Sequence, residues 1–229
     1  MIENVEQGTQ AWLDARAGHA TASRISDVMA KGQGQKESVA RKSYRAQIVF
    51  ERLAGKSLEE EKGNFFDVRR GNNLESTARV EYEMRNKVTV DTAGFVKHPS
   101  LPWAGCSPDG TIGSKGLVQL KCPRRHVQLE WVMRKVVPAE HRDQMLFELA
   151  CTKREYSDFV SYVDDSIENL PSMQLFQVRL FPDAKRIEEI EAAVAKFNAE
   201  VEEIIAKLTA KDESLEDQLR ASLAAVEGQ

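Results

Sequence analysis

Apolar residues recur along this chain at two spacings, and the switches between them mark out its elements. In "ESVARKSYRAQIVFERLA" (37–54) Val39, Tyr44, Ile48, Val49 and Leu53 keep close to a helical period, and Gly55 follows where such a helix would stop. Residues 69–86 repeat the pattern, with Leu74, Ala78, Tyr82 and Met84 on the side to be buried; the polar stretch before them reads as a loop. Upstream, "TQAWLDARAGHATASRISDVMA" predicts a short helix, a glycine-containing turn and a second helix opening near "TAS", with Thr21 or Ser23 as its N-cap. "KVTVDTAGFVKH" alternates as a strand does, breaks and resumes. "WAGCSPDGTI" and "GLVQLKCP" are β-like segments joined by the glycine-bounded turn "GSKG". "DFVSYVDD" alternates like a half-buried strand and lies between two helical stretches. The order helix, strands, helix, strand, helix predicts an α/β chain whose central mixed sheet is flanked by helices.

Toward the carboxy terminus the period becomes purely helical. Ile187, Ile190, Val194, Phe197, Val201, Ile204, Ile205 and Leu208 form one stripe, and Leu215, Leu219, Leu223 and Val226 form a second beyond the polar break "TAKDES". Residues 1–184 are therefore expected to form one domain. Residues 185–229 form a helical segment packed on it, whose last part contacts a subunit or a partner.

Charge changes this picture. The net charge is −4 over 229 residues, but 6 Lys and Arg stand against 11 Asp and Glu from Lys185 onward, which leaves 26 against 25 in residues 1–184. The acidity belongs to the tail, and the body is neutral with basic clusters at Arg41, Lys42 and Arg45, at Arg69 and Arg70, and at Arg124 and Arg125. No apolar run approaches the roughly 18 residues of a membrane span, and "MIENVEQGTQ" lacks the features of a secretory signal, so a cytoplasmic protein is expected. Cys106, Cys122 and Cys151 show no CxxC spacing, which argues against a disulfide framework or a zinc or iron–sulfur centre.

The chemistry concentrates in "CSPDGTIGSKGLVQLKCP" (106–123). Alternate residues of a strand share a face, so Gln119 and Lys121 are displayed together while Leu120 and Cys122 point the other way. A hairpin between Ile112 and Gly116 folds that strand back toward Asp109. Phosphodiester hydrolysis needs such a cluster: oxygen donors hold Mg²⁺ against the scissile phosphate, and a lysine orients the attacking water or offsets charge in the transition state.

Taken with "AWLDARAGHATAS", "RRGNNLES" and "HRDQMLFELACTKREYSDFVSYV", this segment resembles the phage lambda exonuclease family of viral recombination nucleases, in motif order from residue 12 to about 165. The resemblance implies a restriction-endonuclease-like core and a nuclease domain over 1–184. It implies a ring-shaped homotrimer and processive 5′-to-3′ degradation of one strand of double-stranded DNA, with two Mg²⁺ ions per site that Mn²⁺ replaces. The 3′ single-stranded tails then pass to a single-strand annealing protein. By the same resemblance Asp109 is the shared metal ligand, Glu75 serves the second metal site, the backbone carbonyl of Leu120 is a further ligand and Lys121 acts on the nucleophilic water. Arg16, Ser23, Ser107 and Gln144 correspond to the pocket for the 5′-phosphate, a set whose donors suit that group. Trp12 reads as a core residue.

At position 119 the family pattern has glutamate. An amide oxygen still coordinates, but the site loses a full negative charge, so affinity for at least one Mg²⁺ is expected to fall and activity with it, while the near-isosteric swap leaves fold and DNA binding intact. Two alternatives remain at this stage: a structure-specific endonuclease of the same fold, and a catalytically silent protein that binds DNA ends.

Overall fold

The computed structural model describes residues 2–3, 5–32, 34, 36–58, 66–164 and 170–227, without the side chains of 2–3, 66–73, 172 and 211–227. Much of the polar stretch before 66, the side chains of Arg69 and Arg70, and the stripe from Leu215 to Val226 lie outside these residues.

In chain order the elements are β1 (Ile2–Glu3), α1 (Gln10–Arg16), β2 (Ala20–Thr21), α2 (Ile25–Met29), α3 (Val39–Ala54), α4 (Phe66–Asn86), β3 (Val90–Asp91), β4 (Phe95–Lys97), β5 (Ala104–Cys106), β6 (Gly110–Ile112), β7 (Gly116–Lys121), α5 (Arg125–Arg134), α6 (Ala139–Thr152), β8 (Tyr156–Tyr162), β9 (Leu175–Leu180) and α7 (Ala184–Glu227). The expected central mixed sheet is present, and a second, smaller sheet accompanies it. A mixed five-stranded sheet has the order β3-β6-β7-β8-β9, and a smaller one the order β1-β4-β5-β2. The glycine-bounded turn makes the β6–β7 hairpin, with Gly110 opposite Val118 and Ile112 opposite Gly116. Strand β7 then runs parallel to β8, and α5 and α6 supply the crossover that parallel pairing requires.

Leu117 of β7 packs in a cluster with Leu146, Phe147 and Leu149 of α6. Val118 and Leu120 pack with Ala78 and Tyr82 of α4 on the other side. The central strands are thus covered on both faces, and β8 is buried from Ser157 to Tyr162, not half-exposed as its alternation suggested. Its polar residues are held inside: Asp158 accepts from Tyr82 Oη at 2.6 Å and from the Arg179 guanidinium at 2.7 and 2.8 Å. Strand β9, between β8 and the last helix, is an element that the periodicity did not signal.

Several local expectations change. Thr21 and Ser23 do not cap a helix by side chain; Ala22–Arg24 form a 3₁₀ turn that leads into α2. Met84 is 71% exposed: two residues on from the buried Tyr82, it falls on the opposite side of α4. Helix α3 ends at Gly55 with φ 66°, the left-handed cap that glycine adopts without strain. Helix α7 continues through "TAKDES" without a break, its polar residues being adequate helix formers. Its Ile190, Val194, Phe197 and Val201 are fully buried in the cluster that includes α2, α3 and α6. Arg41 and Arg45 of α3 both reach Glu37 and Glu200, so two of the three charges in that basic cluster face carboxylates. None of the three cysteines is in a disulfide, and Cys106 and Cys151 are buried. Among the described residues no helix is long and apolar enough to cross a membrane.

Candidate functional site

Asp109 ends the short connection from β5 to β6, and the end of β6 decides what it meets. Pairing stops at Gly110 opposite Val118, so β7 projects beyond its neighbour from Gln119 onward. The freed backbone N–H of Leu120 donates to Asp109 Oδ2 at 2.8 Å. In a strand the N–H and C=O of one residue point toward the same neighbour, so the Leu120 carbonyl is also directed past the end of β6, on the side of Asp109. The same Oδ2 accepts from the side-chain NH₂ of Gln119, and Lys121 Nζ stands 3.9 Å from it. Helix α4 closes the other side. Arg79 donates to the backbone carbonyl of Asp109 at 3.0 Å, and Glu75, one turn earlier, lines with Arg79, Gln7, Thr92 and Asp109 a cleft of about 480 Å³. Burial, and then the charge of Asp109, holds the Glu75 carboxyl above the usual carboxylate range.

Behind Gln119 stands α6. The Gln144 side-chain NH₂ donates to Gln119 Oε1 and to Glu148 Oε1, each at 2.9 Å. Gln144 and Glu148 are four residues apart and so lie on one helix face. Glu148 is 0% exposed, and its carboxyl is pushed up to about 8, first by burial and then by the charge of Asp109, against smaller contributions from Gln144 and Lys121.

A second group adjoins through the β5–β6 connection. Ser107, two residues before Asp109, accepts from the indole N–H of Trp12 at 3.0 Å. The Arg16 guanidinium lies over the same indole ring, 4.0 Å from its centroid, and donates to Ser23 Oγ at 3.4 Å. The turn that presents Arg16 is anchored on α3: Gly18 N–H donates to Glu51 at 2.8 Å, and Arg52 Nε donates to the Gly18 carbonyl at 2.8 Å. A side chain at Gly18 would meet Arg52 Cγ at 2.7 Å, and φ there is +72°. Helix α6, which carries Gln144, also packs on the turn that carries Ser23, so one helix bears on both groups.

Asp109, Gln119, Lys121 and the Leu120 backbone thus meet directly, with Glu75 across the cleft, while Arg16, Ser23 and Ser107 meet around Trp12. Gln144 joins the first group instead, through Gln119. Trp12 is only half-buried and links Arg16 to Ser107, a role that its reading as core did not include. Glu148 and Arg79 were not singled out from the sequence. Their only sequence signals are helical spacings, four residues from Gln144 and from Glu75.

The donors suit a hard divalent cation. Two carboxylates and a backbone carbonyl are oxygen ligands as they stand, whereas Gln119 turns its NH₂ to Asp109 and its Oε1 to Gln144, so its amide oxygen becomes a ligand only when the side chain turns over.

Comparison with known proteins places the chain in a family. The family described as YqaJ-like viral recombinase domain matches residues 11–155. The solved structure of an alkaline exonuclease, LHK-Exo, from Laribacter hongkongensis is 35% identical over 90% of this chain and 100% of its own, with a TM-score of 0.80. LHK-Exo in complex with dAMP superposes with a TM-score of 0.81 at the same identity and coverage. A phage-related exonuclease from Haemophilus somnus 129PT, 14% identical over 83% of this chain and 96% of its own with a TM-score of 0.58, shares the fold. No curated protein matches the chain.

Proposed function

This chain belongs to the YqaJ-like viral recombinase family, which includes exonucleases of the lambda type, and on that footing we propose that it is a DNA exonuclease that degrades one strand of a duplex from its 5′ end. One observation carries the direction of attack: Ser107 and Asp109 sit two residues apart on one connection, so the Arg16–Ser23–Ser107 group adjoins the carboxylates. A terminal 5′-phosphate held by that group puts the next phosphodiester within reach of Asp109.

In this reading Glu75, Asp109, the Leu120 carbonyl and Gln119 hold two Mg²⁺ ions, or Mn²⁺ in their place. Bound there, such ions would polarise the scissile phosphate and favour ionisation of the attacking water. Lys121 orients that water and offsets negative charge as the P–O3′ bond breaks, the leaving O3′ taking a proton. Each cut releases a nucleoside 5′-monophosphate and leaves a new 5′-phosphate on the shortened strand, which re-enters the pocket of Arg16, Ser23, Ser107 and Gln144. The dAMP complex of LHK-Exo supports this reading, since dAMP is such a product. The 3′ tail is the substrate of a single-strand annealing protein in recombination within a bacterial cytoplasm. A homotrimer enclosing the duplex accounts for processivity in a chain with no strong net positive charge. Gln119 leaves the site one charge short at the strand and slows the reaction.

The test is digestion of a linear duplex 5′-phosphorylated at one end, beside a closed circle, with Mg²⁺. Progressive loss of the phosphorylated strand and an intact circle are expected. Cutting of the circle would show an endonuclease.

A further inference from the structure

Outside the residues already assigned, the described part of the molecule buries one carboxyl group beside the site without a full set of partners. Glu148 is 0% exposed; its Oε1 accepts from Gln144, and its Oε2 has no hydrogen-bond partner among the described residues. Its neighbours on α6, Met145, Leu146, Phe147 and Leu149, are all buried as well, and the buried Cys106 thiol lies close enough to feel its charge. An uncompensated buried carboxylate is costly, and a hydrophobic residue of similar volume would serve this core better. The group is not isolated from the site, however. Gln144 donates from one nitrogen both to Glu148 and to Gln119, and Gln119 in turn donates to Asp109. The charged groups that act on Glu148 are Asp109 and Lys121, both at the site.

We propose that Glu148 is the third carboxylate of the cation site: a positioning residue that supplies from α6, through Gln144, the negative charge that β7 lacks at Gln119. This inference rests on the reading of Asp109 and Glu75 as cation ligands. Glu75, Asp109 and Glu148 do not converge as a preformed cluster of three among the described residues. Two amides stand between Glu148 and Asp109, so its charge acts across the low-dielectric interior, where a carboxylate attracts a cation more strongly than it would at the surface. A cation against Asp109 favours the ionised form of Glu148 for the same reason.

The experiment is calorimetric titration of Mn²⁺ into the DNA-free protein at pH 8.5, where the carboxylate is populated. Four chains are compared: the chain as it stands, Glu148→Gln, Gln119→Glu, and the exchange Gln119→Glu with Glu148→Gln. Glu148→Gln should weaken Mn²⁺ binding tenfold or more. The exchange, which keeps the carboxylate count, should restore it to within about threefold of the starting chain, about 0.7 kcal/mol. A purely structural Glu148 would not be rescued by a carboxylate on β7. Undiminished binding in Glu148→Gln overturns the proposal, and so does an exchange variant that binds ten times more weakly than the starting chain, a comparison that holds even if Glu148→Gln alone fails to fold. Asp109→Asn separates the two readings. Binding that survives Asp109→Asn sinks the cation site itself, whereas binding that depends on Asp109 but ignores Glu148 sinks only this inference.

Discussion

Trp12 donates its indole N–H to the hydroxyl of Ser107 across 95 residues of chain, at 3.0 Å, while the same ring lies under Arg16. The bond fixes where Ser107 stands relative to the guanidinium, so the proposed pocket for a terminal phosphate would depend on a residue that need not touch the phosphate itself. Trp12→Phe keeps an aromatic face under Arg16 and removes only the donor. Loss of one such bond is worth about 0.5–1.5 kcal/mol. KM for 5′-phosphorylated duplex ends should therefore rise about two- to tenfold, with little change on 5′-hydroxyl ends. Arg16→Ala should go further and erase most of the preference between the two ends. Initial rates on matched duplexes with and without the phosphate decide both. Equal loss on the two substrates would mean that the ring serves stability alone.

Gln119→Glu should raise the Mg²⁺-supported rate about tenfold or more, since each factor of ten corresponds to about 1.4 kcal/mol of transition-state stabilisation and a carboxylate replaces a neutral amide beside Asp109. The Mg²⁺ concentration at half-maximal rate should fall at the same time. Steady-state digestion of linear DNA over a Mg²⁺ series reads both quantities, and unchanged values would remove position 119 from the cation site.

Burial raises the Glu148 carboxyl from 4.5 to about 8 in the folded chain. The folded state then holds a proton that the unfolded state releases. The contribution to stability is complete below about pH 4.5, falls as pH rises, and is lost once pH passes about 8. Across that window the slope due to this group is at most about 1.4 kcal/mol per pH unit. Urea denaturation in EDTA at pH 5 and at pH 8.5 should show a larger drop for the chain as it stands than for Glu148→Gln. Parallel curves would mean that Glu148 does not bind that proton.

Light scattering should find a trimer, and a chain ending at Lys211 should remain one. The buried stripe of α7 ends with Val201, and Leu208 is already 44% exposed, so the core fixes the helix well before Lys211. A monomer-sized full-length species would remove the enclosing ring, and loss of the trimer only on truncation would move the assembly contacts beyond Lys211.

The site was legible where its chemistry is local. Alternation in β7 displays Gln119 and Lys121 together, and the glycine-bounded turn returns that strand to Asp109, because both follow from backbone geometry over a dozen residues. Helix α3 and its Gly55 cap were legible for the same reason. Strand β8 was misjudged because alternation assumes that one face is wet, whereas Ser157, Asp158 and Ser161 are buried in the middle of a covered sheet. Glu148 was invisible because a charged residue inside "MLFELAC" ordinarily marks the solvated side of a helix. Only the packing of α6 against β7 turns that side inward, toward Gln119.

The grip of Glu200 on Arg41 and Arg45 has a consequence for how a polyanion meets this molecule. Those arginines form one of the densest runs of positive charge in the body, yet with Glu37 and Glu200 beside them the local field cancels within a few ångströms. A passing duplex would feel little pull toward α3, and so would have little reason to lie along the side of the protein in a non-productive pose. On the proposed reading, the choice between an end and the side of a duplex then rests the more on the group of Arg16, Ser23 and Ser107.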